Sequence, residues 1–466
     1  MNAKVKFIGG TRTVTGSMHM ITNGRSRFII DCGLFQGRRE ETFERNARFP
    51  FDPSEIESCV LSHAHIDHSG NLPNLVKHGF RGRIFATEAT RDLCTAMLPD
   101  SGHIQEEDVR FVNKIRKKQG QPPVSPLYTR KDAENALRFI DGCRYRTPIE
   151  VADGASATFY DAGHVLGSAT PLIDLRASGG GSTRLAYAVD LGRKSAPILK
   201  NPEQPPDIDY LILESTYGGR LHSPIEEAVE VLAKTVRATV ERKGKIIIPS
   251  FALERTQEVV YYLDQLIKQR RIPELPIYVD SPLAVNITEI FMRHEECFDE
   301  ETMKRFRTTG DPFGTDRIRY ITAVEDSKKL NGDPRPMVII SASGMCESGR
   351  ILHHLRNNIE NPRNTILIVG FVAKNTLGRR IVERSETVKI FGEELRLRAE
   401  VVVINAFSTH ADRSELLDYV MPLKGRVKGI FVVHGDEDQS EKLTELLKEK
   451  GFAARMPLPE EEIELT

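Results

Sequence analysis

Six consecutive residues, His63-Ala64-His65-Ile66-Asp67-His68, constrain this chain more than any other feature. They follow Cys59-Val60-Leu61, a short apolar run with the texture of a buried strand, and precede Gly70 and a helix expected from near Leu72. Alternate residues of an extended segment point the same way, so His63, His65 and Asp67 are expected on one face. A turn then brings His68 round beside them. Imidazoles and a carboxylate at this spacing suit zinc or a similar borderline metal. A polar loop that happens to be rich in histidine is the bland alternative, and it gives this density of ligand types no purpose.

Four ligands are too many for one open catalytic metal and too few for two. Others must come from elsewhere in the chain. Asp161-Ala162-Gly163-His164-Val165-Leu166-Gly167 sets a histidine in a glycine-flanked turn, and Asp190 ends the strand expected after it. Alone, His164 reads as a satisfied loop histidine. Beside the first motif it becomes a ligand candidate.

The 466 residues suit two domains, and 39% hydrophobic with 28% charged residues fits a soluble globular chain. A net charge of −1 leaves any polyanion to be held by local basic patches. Lys114 to Lys118, Lys268 to Arg271 and Arg379-Arg380 are candidates, although each reads first as a solvated helix face. The start, Met1 to Lys6, has no apolar core with a cleavage site, and no apolar run reaches the roughly 18 residues of a membrane span. The six cysteines form no Cys-x-x-Cys pair, so a reduced, cytoplasmic setting is expected rather than a disulfide framework or thiolate metal site.

Two stretches share one pattern. Strand, strand and Asp31-Cys32-Gly33 follow Gly16, and the same order follows Gly167-Ser168, through the loop Gly179-Gly180-Gly181-Ser182, to Asp190-Leu191-Gly192. This predicts a β-sandwich with an internal pseudo-repeat. Helices are expected over 104–118 and 130–140, with Gln121-Pro122-Pro123 as the break. After Glu214 the texture changes. Ser223-Pro224-Ile225-Glu226 reads as a capping box with proline at the first helical position, ahead of a helix to about Arg242. Strand–helix alternation then runs to Val369, which argues for a parallel sheet covered on both faces. Strands return after about Phe371, so the middle reads as an insertion into a domain built from both chain ends.

On these motifs the chain resembles the β-CASP family of metallo-β-lactamase-fold nucleases over nearly its full length. His63 to His68 match the family's His-x-His-x-Asp-His, and Asp31, His164 and Asp190 match its other strand-end and loop residues. Three motifs peculiar to the family also occur: Glu214 in Leu213-Glu214-Ser215-Thr216, His410 in Phe407-Ser408-Thr409-His410-Ala411-Asp412, and His434 in Val433-His434-Gly435-Asp436. The resemblance implies an αββα metallo-β-lactamase sandwich (1–215 and 373–466) with an inserted β-CASP α/β domain over 216–372. It implies one zinc on His63, His65, His164 and Asp190, and a second on Asp67, His68, His434 and the shared Asp190. Asp31 is then a residue that orients the histidine loop, and Asp67, Glu214 and His410 carry the catalysis.

The implied activity is zinc-dependent hydrolysis of single-stranded RNA, endonucleolytic, by hydroxide activated between two metals. Family members acting on RNA carry histidine where this chain has His434. Ser341-Ala342-Ser343-Gly344-Met345, between a strand and a helix, offers backbone amides from Ser341, Ser343 and Gly344 to a phosphate, and reads equally as a tight turn. Single-stranded RNA is the expected partner, with a homodimer left open and no membrane. The chain ends soon after its last expected strand, so no further C-terminal domain is expected. Two other functions stand beside this one. A small ester or thioester hydrolase would need neither the insertion nor His410, and a non-catalytic RNA-binding scaffold would be expected to have lost ligands that are all present here.

Overall fold

Strict alternation of buried and half-buried side chains along Ala3–Gly9 and Ala155–Asp161 gives each of two sheets one apolar face. The computed structural model describes residues 3–37, 39–177, 180–314, 317–370, 372–373 and 376–466. Gly179 of the expected glycine loop, and Phe371, Lys374 and Asn375 of the expected return to strands, lie outside them. The chain divides into two compact units, Met1–Leu221 with His410–Thr466, and His222–Thr409.

In the first unit, one seven-stranded sheet runs Glu462–Leu465, Ala3–Gly9, Met18–Asn23, Ser26–Ile30, Ser58–Val60, Arg83–Thr87 and Ile140–Cys143. The other runs Ala454–Arg455, Gly429–Val432, Tyr210–Leu213, Ser182–Ala188, Ala169–Arg176, Ala155–Asp161 and Ile149–Ala152. Phe7, Ile21, Phe28 and Val60 from the first meet Phe159, Ile173, Tyr187 and Phe431 from the second in one buried core. The period of two shows within single strands. Tyr210 and Ile212 enter that core, whereas Leu211 and Leu213 point to the other face, under the helices Arg413–Val420 and Glu437–Glu449. The helix Glu88–Lys118 packs on Arg83–Thr87 and Ile140–Cys143, which completes the αββα layering. That helix begins sixteen residues before the expected Ile104, because Thr87 caps it by accepting the Thr90 N–H and the chain stays helical through Pro99.

The second unit has a six-stranded sheet in the order Ile318–Tyr320, Ile277–Val279, Val338–Ser341, Ile246–Pro249, Thr365–Val369 and Glu400–Ile404, every pair parallel. Its central strands are buried at every residue and apolar at nearly all, as a sheet covered on both faces requires. Two expectations shift here. The helix Ile225–Glu241 starts without a side-chain cap, with Pro224 outside it, so the Ser223–Glu226 capping box does not form. The boundary expected at 372 also moves. Residues 400–404 pair with 365–369 along the sheet edge, and Val388 and Ile390 join this unit's core, so the unit runs on to Thr409. Among the described residues no helix is long and apolar enough to cross a membrane.

Candidate metal centre

Three neighbouring strands of the second sheet deliver two of the site's carboxylates and its last histidine. Ser182–Ala188, Tyr210–Leu213 and Gly429–Val432 run parallel, with Ala188, Leu213 and Val432 in register. Asp190, Glu214 and His434 lie one or two residues beyond that row, at the strands' carboxyl ends, each buried with 1% or less of its surface exposed. From the first sheet, Ser58–Val60 leads into His63 and His65, and a helical turn over Ile66–Ser69 follows with His65 at its N-cap.

That turn changes one expectation. His63, His65 and Asp67 do not share a face, because the backbone leaves the extended conformation at Ile66. His63 and His65 converge instead with His164. His63 Nε2 lies 3.2 Å from His65 Nδ1, and His164 Nε2 lies 3.3 Å from the same atom. Asp67 goes with His68 and His434, whose Nε2 atoms are 3.1 Å apart, and His434 Nε2 is 3.6 Å from Asp67 Oδ2. Asp190 lies against both groups, with Oδ2 3.4 Å from His164 Nε2 and 3.7 Å from both His63 and His68, and Oδ1 2.9 Å from His434. His63, His65, His164 and Asp190 thus form one set with metal-ligand spacing, and Asp67, His68 and His434 another.

The two Asp-x-Gly repeats explain how the loops come so close. A Cβ on Gly33 would stand 1.6 Å from the Asp67 carbonyl oxygen, and one on Gly192 would stand 1.8 Å from that of Gly163. Only glycine lets each strand end press against its histidine-bearing loop. The aspartates of the repeats then flank one ring. His68 Nδ1 lies 2.7 Å from Asp31 Oδ2, with Asp190 on its Nε2 side.

Asp31 organises more than His68. It accepts the Ser62 N–H at 2.7 Å, the Ser62 hydroxyl at 2.8 Å and the Tyr187 hydroxyl at 2.9 Å. Because Ser62 donates to Asp31, its oxygen accepts from His63 Nδ1, 3.0 Å away. Both His63 and His68 therefore carry their proton on Nδ1 and turn the Nε2 lone pair into the cluster. Ser62 and Tyr187 were not among the residues singled out by sequence; Ser62's place immediately before His63 is the signal that marks it.

Burial holds His63 and His164 well below the ordinary imidazole range and His65 down to about 4, so all three are neutral. Burial also disfavours charge on Asp190, but the surrounding histidines outweigh it and keep the carboxyl well below its usual value. Both Asp190 oxygens are buried without a hydrogen-bond donor in place among the described residues. Three neutral imidazoles with converging lone pairs, and two more (His68 and His434) that Asp31, Asp67 and Asp190 pull toward the charged form, surround a carboxylate with no aligned donor; a cation supplies the positive charge this set calls for. The residues fit a metal.

Glu214 and His410 form a separate pair. His410 Nδ1 lies 3.1 and 3.2 Å from the two Glu214 oxygens, which also accept the Leu191 N–H at 2.5 Å and the Thr216 N–H at 3.3 Å. Ala411 N–H bonds to Leu191 O, which ties His410 to the segment that carries Asp190. Burial would lower His410, yet Glu214 and Asp190 outweigh it and raise its pKa. The His410 ring stands 4.5 Å from that of His164, centroid to centroid.

In the second unit, Ser341, Ser343 and Gly344 lie at or just beyond the carboxyl end of Val338–Ser341, but the next helix begins only at Ile351. The loop is therefore not a helix N-terminus. Ser341 donates to Asp280 O at 2.8 Å, and Ser343 Oγ accepts the Glu347 N–H at 3.3 Å.

Comparison with known proteins agrees with this layout. Residues 11–87 match the metallo-β-lactamase superfamily, 256–381 the Beta-Casp domain, and 394–457 a Zn-dependent metallo-hydrolase RNA specificity domain. The chain is 37% identical to "Ribonuclease TTHA0252" of Thermus thermophilus, over 95% of each chain. It is 29% identical to "Transcription termination factor FttA" of Methanosarcina mazei, over 93% of this chain and 67% of that one. A solved structure from Enterococcus faecalis, described as a protein of unknown function, shares the fold with a TM-score of 0.57 at 14% identity, each chain covered in full. With its sandwich, its inserted parallel sheet and its gathered histidines and aspartates, the chain belongs to the β-CASP family of metallo-β-lactamase-fold, metal-dependent hydrolases.

Proposed function

We propose that this chain is a zinc-dependent ribonuclease that cuts single-stranded RNA internally by phosphodiester hydrolysis. The observation that carries the reading is a hydrogen-bonded His410–Glu214 pair set directly beside the metal-ligand cluster. His63, His65, His164 and Asp190 would hold one cation, and Asp67, His68, His434 and the shared Asp190 a second. Bound there, two cations supply a lowered pKa for water and a positive field for a phosphoryl oxygen.

The remaining work falls to the chain's own residues. Asp31 fixes His68 directly and His63 through Ser62, which sets the orientation of both rings. Glu214 is buried and held by two backbone N–H groups, and it receives the Nδ1 proton of His410. That contact keeps the imidazole charged and directs Nε2 as the donor of a proton to the leaving 3′-oxygen. A small ester would leave such a donor little to do, whereas an alkoxide leaving a phosphodiester requires one. RNA as substrate rests on His434, on the relative named a ribonuclease, and on the matched RNA specificity segment, which contains both His410 and His434. Ser341, Ser343 and Gly344 are proposed to meet RNA phosphates through backbone amides, since open parallel sheets take ligands at their strands' carboxyl ends.

The test is incubation with 5′-labelled single-stranded RNA and with DNA of the same sequence, with and without chelator. Internal fragments are expected from RNA, much slower cutting of DNA, loss of activity with chelator and recovery with zinc. Equal rates on RNA and DNA would overturn the substrate assignment, and an inert zinc-loaded protein would overturn the activity.

A further inference from the structure

Between the strands Ala3–Gly9 and Met18–Asn23 runs a loop, Gly10-Thr11-Arg12-Thr13-Val14-Thr15-Gly16-Ser17. Both of its ends are tied to the backbone of residues in one ligand set. Gly10 O accepts the His434 N–H at 2.6 Å, and the Ser17 N–H donates to Asp67 O at 2.9 Å. The loop therefore runs along the rim of the Asp67, His68 and His434 cluster. Thr15 fixes its far side, bonding to the backbone of Gln36 in both directions.

Arg12 is the one charged residue of that loop. Its φ is +57°, in the left-handed region that glycine adopts freely and arginine only at a cost. Its Nη1 meets Glu437, the first residue of the helix Glu437–Glu449 that follows His434. Nε is buried without a partner among the described residues, so this one contact holds the guanidinium. An ion pair with 34% and 54% of its side chains exposed adds little to stability, too little to offset the strained backbone. What arginine offers here is charge and several N–H donors beside the cation set, a match for the oxygens of a phosphate. Of the three acids in the turn Asp436-Glu437-Asp438, Arg12 pairs with Glu437, and Asp438 lies 3.6 Å from Lys442. A phosphate must therefore exchange with Glu437.

We infer that Arg12 binds a phosphate of the RNA strand next to the scissile one, in exchange for Glu437. The inference rests on the ribonuclease reading above. A phosphate that is not cut keeps its charge throughout the reaction, so the contact adds to binding rather than to the chemical step. Arg12→Gly removes the side chain and suits the backbone, so its melting temperature should equal or exceed the parent's, with zinc content unchanged. Binding is read by the anisotropy of a 5′-fluorescein single-stranded RNA, on zinc-loaded full-length chains that also carry His410→Ala to slow cutting. Arg12→Gly should weaken binding about tenfold, as expected for a hydrogen bond to a charged group. It should also flatten the slope of log Kd against log salt by about 0.7, the share of one phosphate on a single strand. With His410 in place, KM for RNA should rise by the same factor and kcat should change far less. Glu437→Gln removes the competitor and should tighten binding about threefold where Arg12 is present, but not in Arg12→Gly.

A chain that binds no single-stranded RNA would overturn the substrate reading and this inference with it. A chain that binds RNA with the same strength and salt slope with or without Arg12 would overturn the Arg12 assignment alone. An Arg12→Gly chain that binds weakly because it is less stable or has lost zinc would make Arg12 a structural residue instead. A Glu437→Gln gain that persists in Arg12→Gly would overturn the exchange, since the carboxylate would then repel RNA by itself.

Discussion

Asp190 and Asp280 are both buried aspartates just past the end of a strand, and both stand beside histidine, yet their oxygens are satisfied in opposite ways. Asp280 accepts Arg350 Nη1 at 2.6 Å, the Ser327 hydroxyl at 2.5 Å and His354 Nε2 at 2.6 Å. His354 Nδ1 in turn meets Asn331 Oδ1 at 3.1 Å. That network is closed, with a charge partner and a hydrogen-bond partner for each group. Around Asp190 the neighbours are imidazoles: burial holds His63 and His164 neutral, whereas His434, raised by Asp190 and Asp67, stands 2.9 Å from Oδ1 without the alignment of a hydrogen bond. A closed network adds rigidity; an open one stores affinity for a cation. Gathered histidines and aspartates are thus diagnostic of a metal only when their polar atoms are left over.

The largest effects should break this contrast if it is false. Asp190→Asn is expected to cut RNA hydrolysis by about 10³-fold or more, the several kcal/mol that a two-metal site supplies. Elemental analysis should fall from close to two zinc-type ions per chain in the parent to a lower value in the variant. A metal content unchanged by Asp190→Asn would show that the open cluster is not what holds the cations.

The His410–Glu214 pair comes next, with an effect that should depend on the leaving group. His410→Ala is expected to lose about 10²–10⁴-fold on ordinary RNA, the range of a general acid. On a substrate whose bridging 3′-oxygen is replaced by sulfur, the thiolate departs without a proton and most of the loss should vanish. His63→Ala should stay impaired on both. An equal defect of His410→Ala on both substrates would make His410 a positioning residue.

Asp280 should give the mirror image of Asp190. Asp280→Asn leaves Arg350 and His354 without their carboxylate, so stability should drop by about 3–5 kcal/mol, read by urea unfolding, with metal content per folded chain unchanged. Burial opposes the charge on Asp280, but His354, Ser327 and Arg350 hold its pKa below the usual carboxylate value. A lowered folded pKa contributes stability above the unfolded value of about 4 and loses it as pH falls through the folded one. The parent's advantage over Asp280→Asn should therefore be full at neutral pH and shrink below about pH 4. An advantage that is flat down to pH 2 would mean that the carboxylate charge is not what holds the network.

The contrast also shows what a sequence can display. The histidine loop is legible because its ligands fall within six residues, and the Asp-x-Gly repeats because two local copies can be compared. The Asp280 network is not: its members stand at 280, 327, 331, 350 and 354, and His354 alone carries no pattern. The same limit placed the domain boundary at 372. Val401 to Ile404 has the texture of a strand of either unit, and only its parallel pairing with Ile366 to Val369 decides which. Helix starts suffered for a related reason, since Ser223 and Glu226 have the capping-box identities but the helix begins past Pro224.

The smallest effect sharpens the contrast within the metal centre itself, at the residue that touches its ligands from behind. Asp31 accepts four hydrogen bonds, from Ser62 N–H, Ser62 Oγ, Tyr187 Oη and His68 Nδ1. In Asp31→Asn the oxygen can keep the Ser62 N–H, but the new amide NH2 faces groups that are themselves donors. His68 relieves the clash by moving its proton to Nε2, the atom that faces the cluster, where it displaces the lone pair a cation needs. Ser62 is no longer committed as a donor to the carboxylate, so the tautomer of His63 loosens as well. Loss of such a supporting carboxylate typically costs about 10–100-fold in metal affinity. A zinc-competition titration with a chromophoric chelator should show that loss first for the cation on His68, while the protein remains folded. Tyr187→Phe, which removes one donor and leaves the carboxylate in place, should change affinity less than Asp31→Asn does. Equal zinc affinity in the parent and Asp31→Asn would show that packing alone orients the histidine loop, and that the aspartate ending the first repeat does not support the one ending the second.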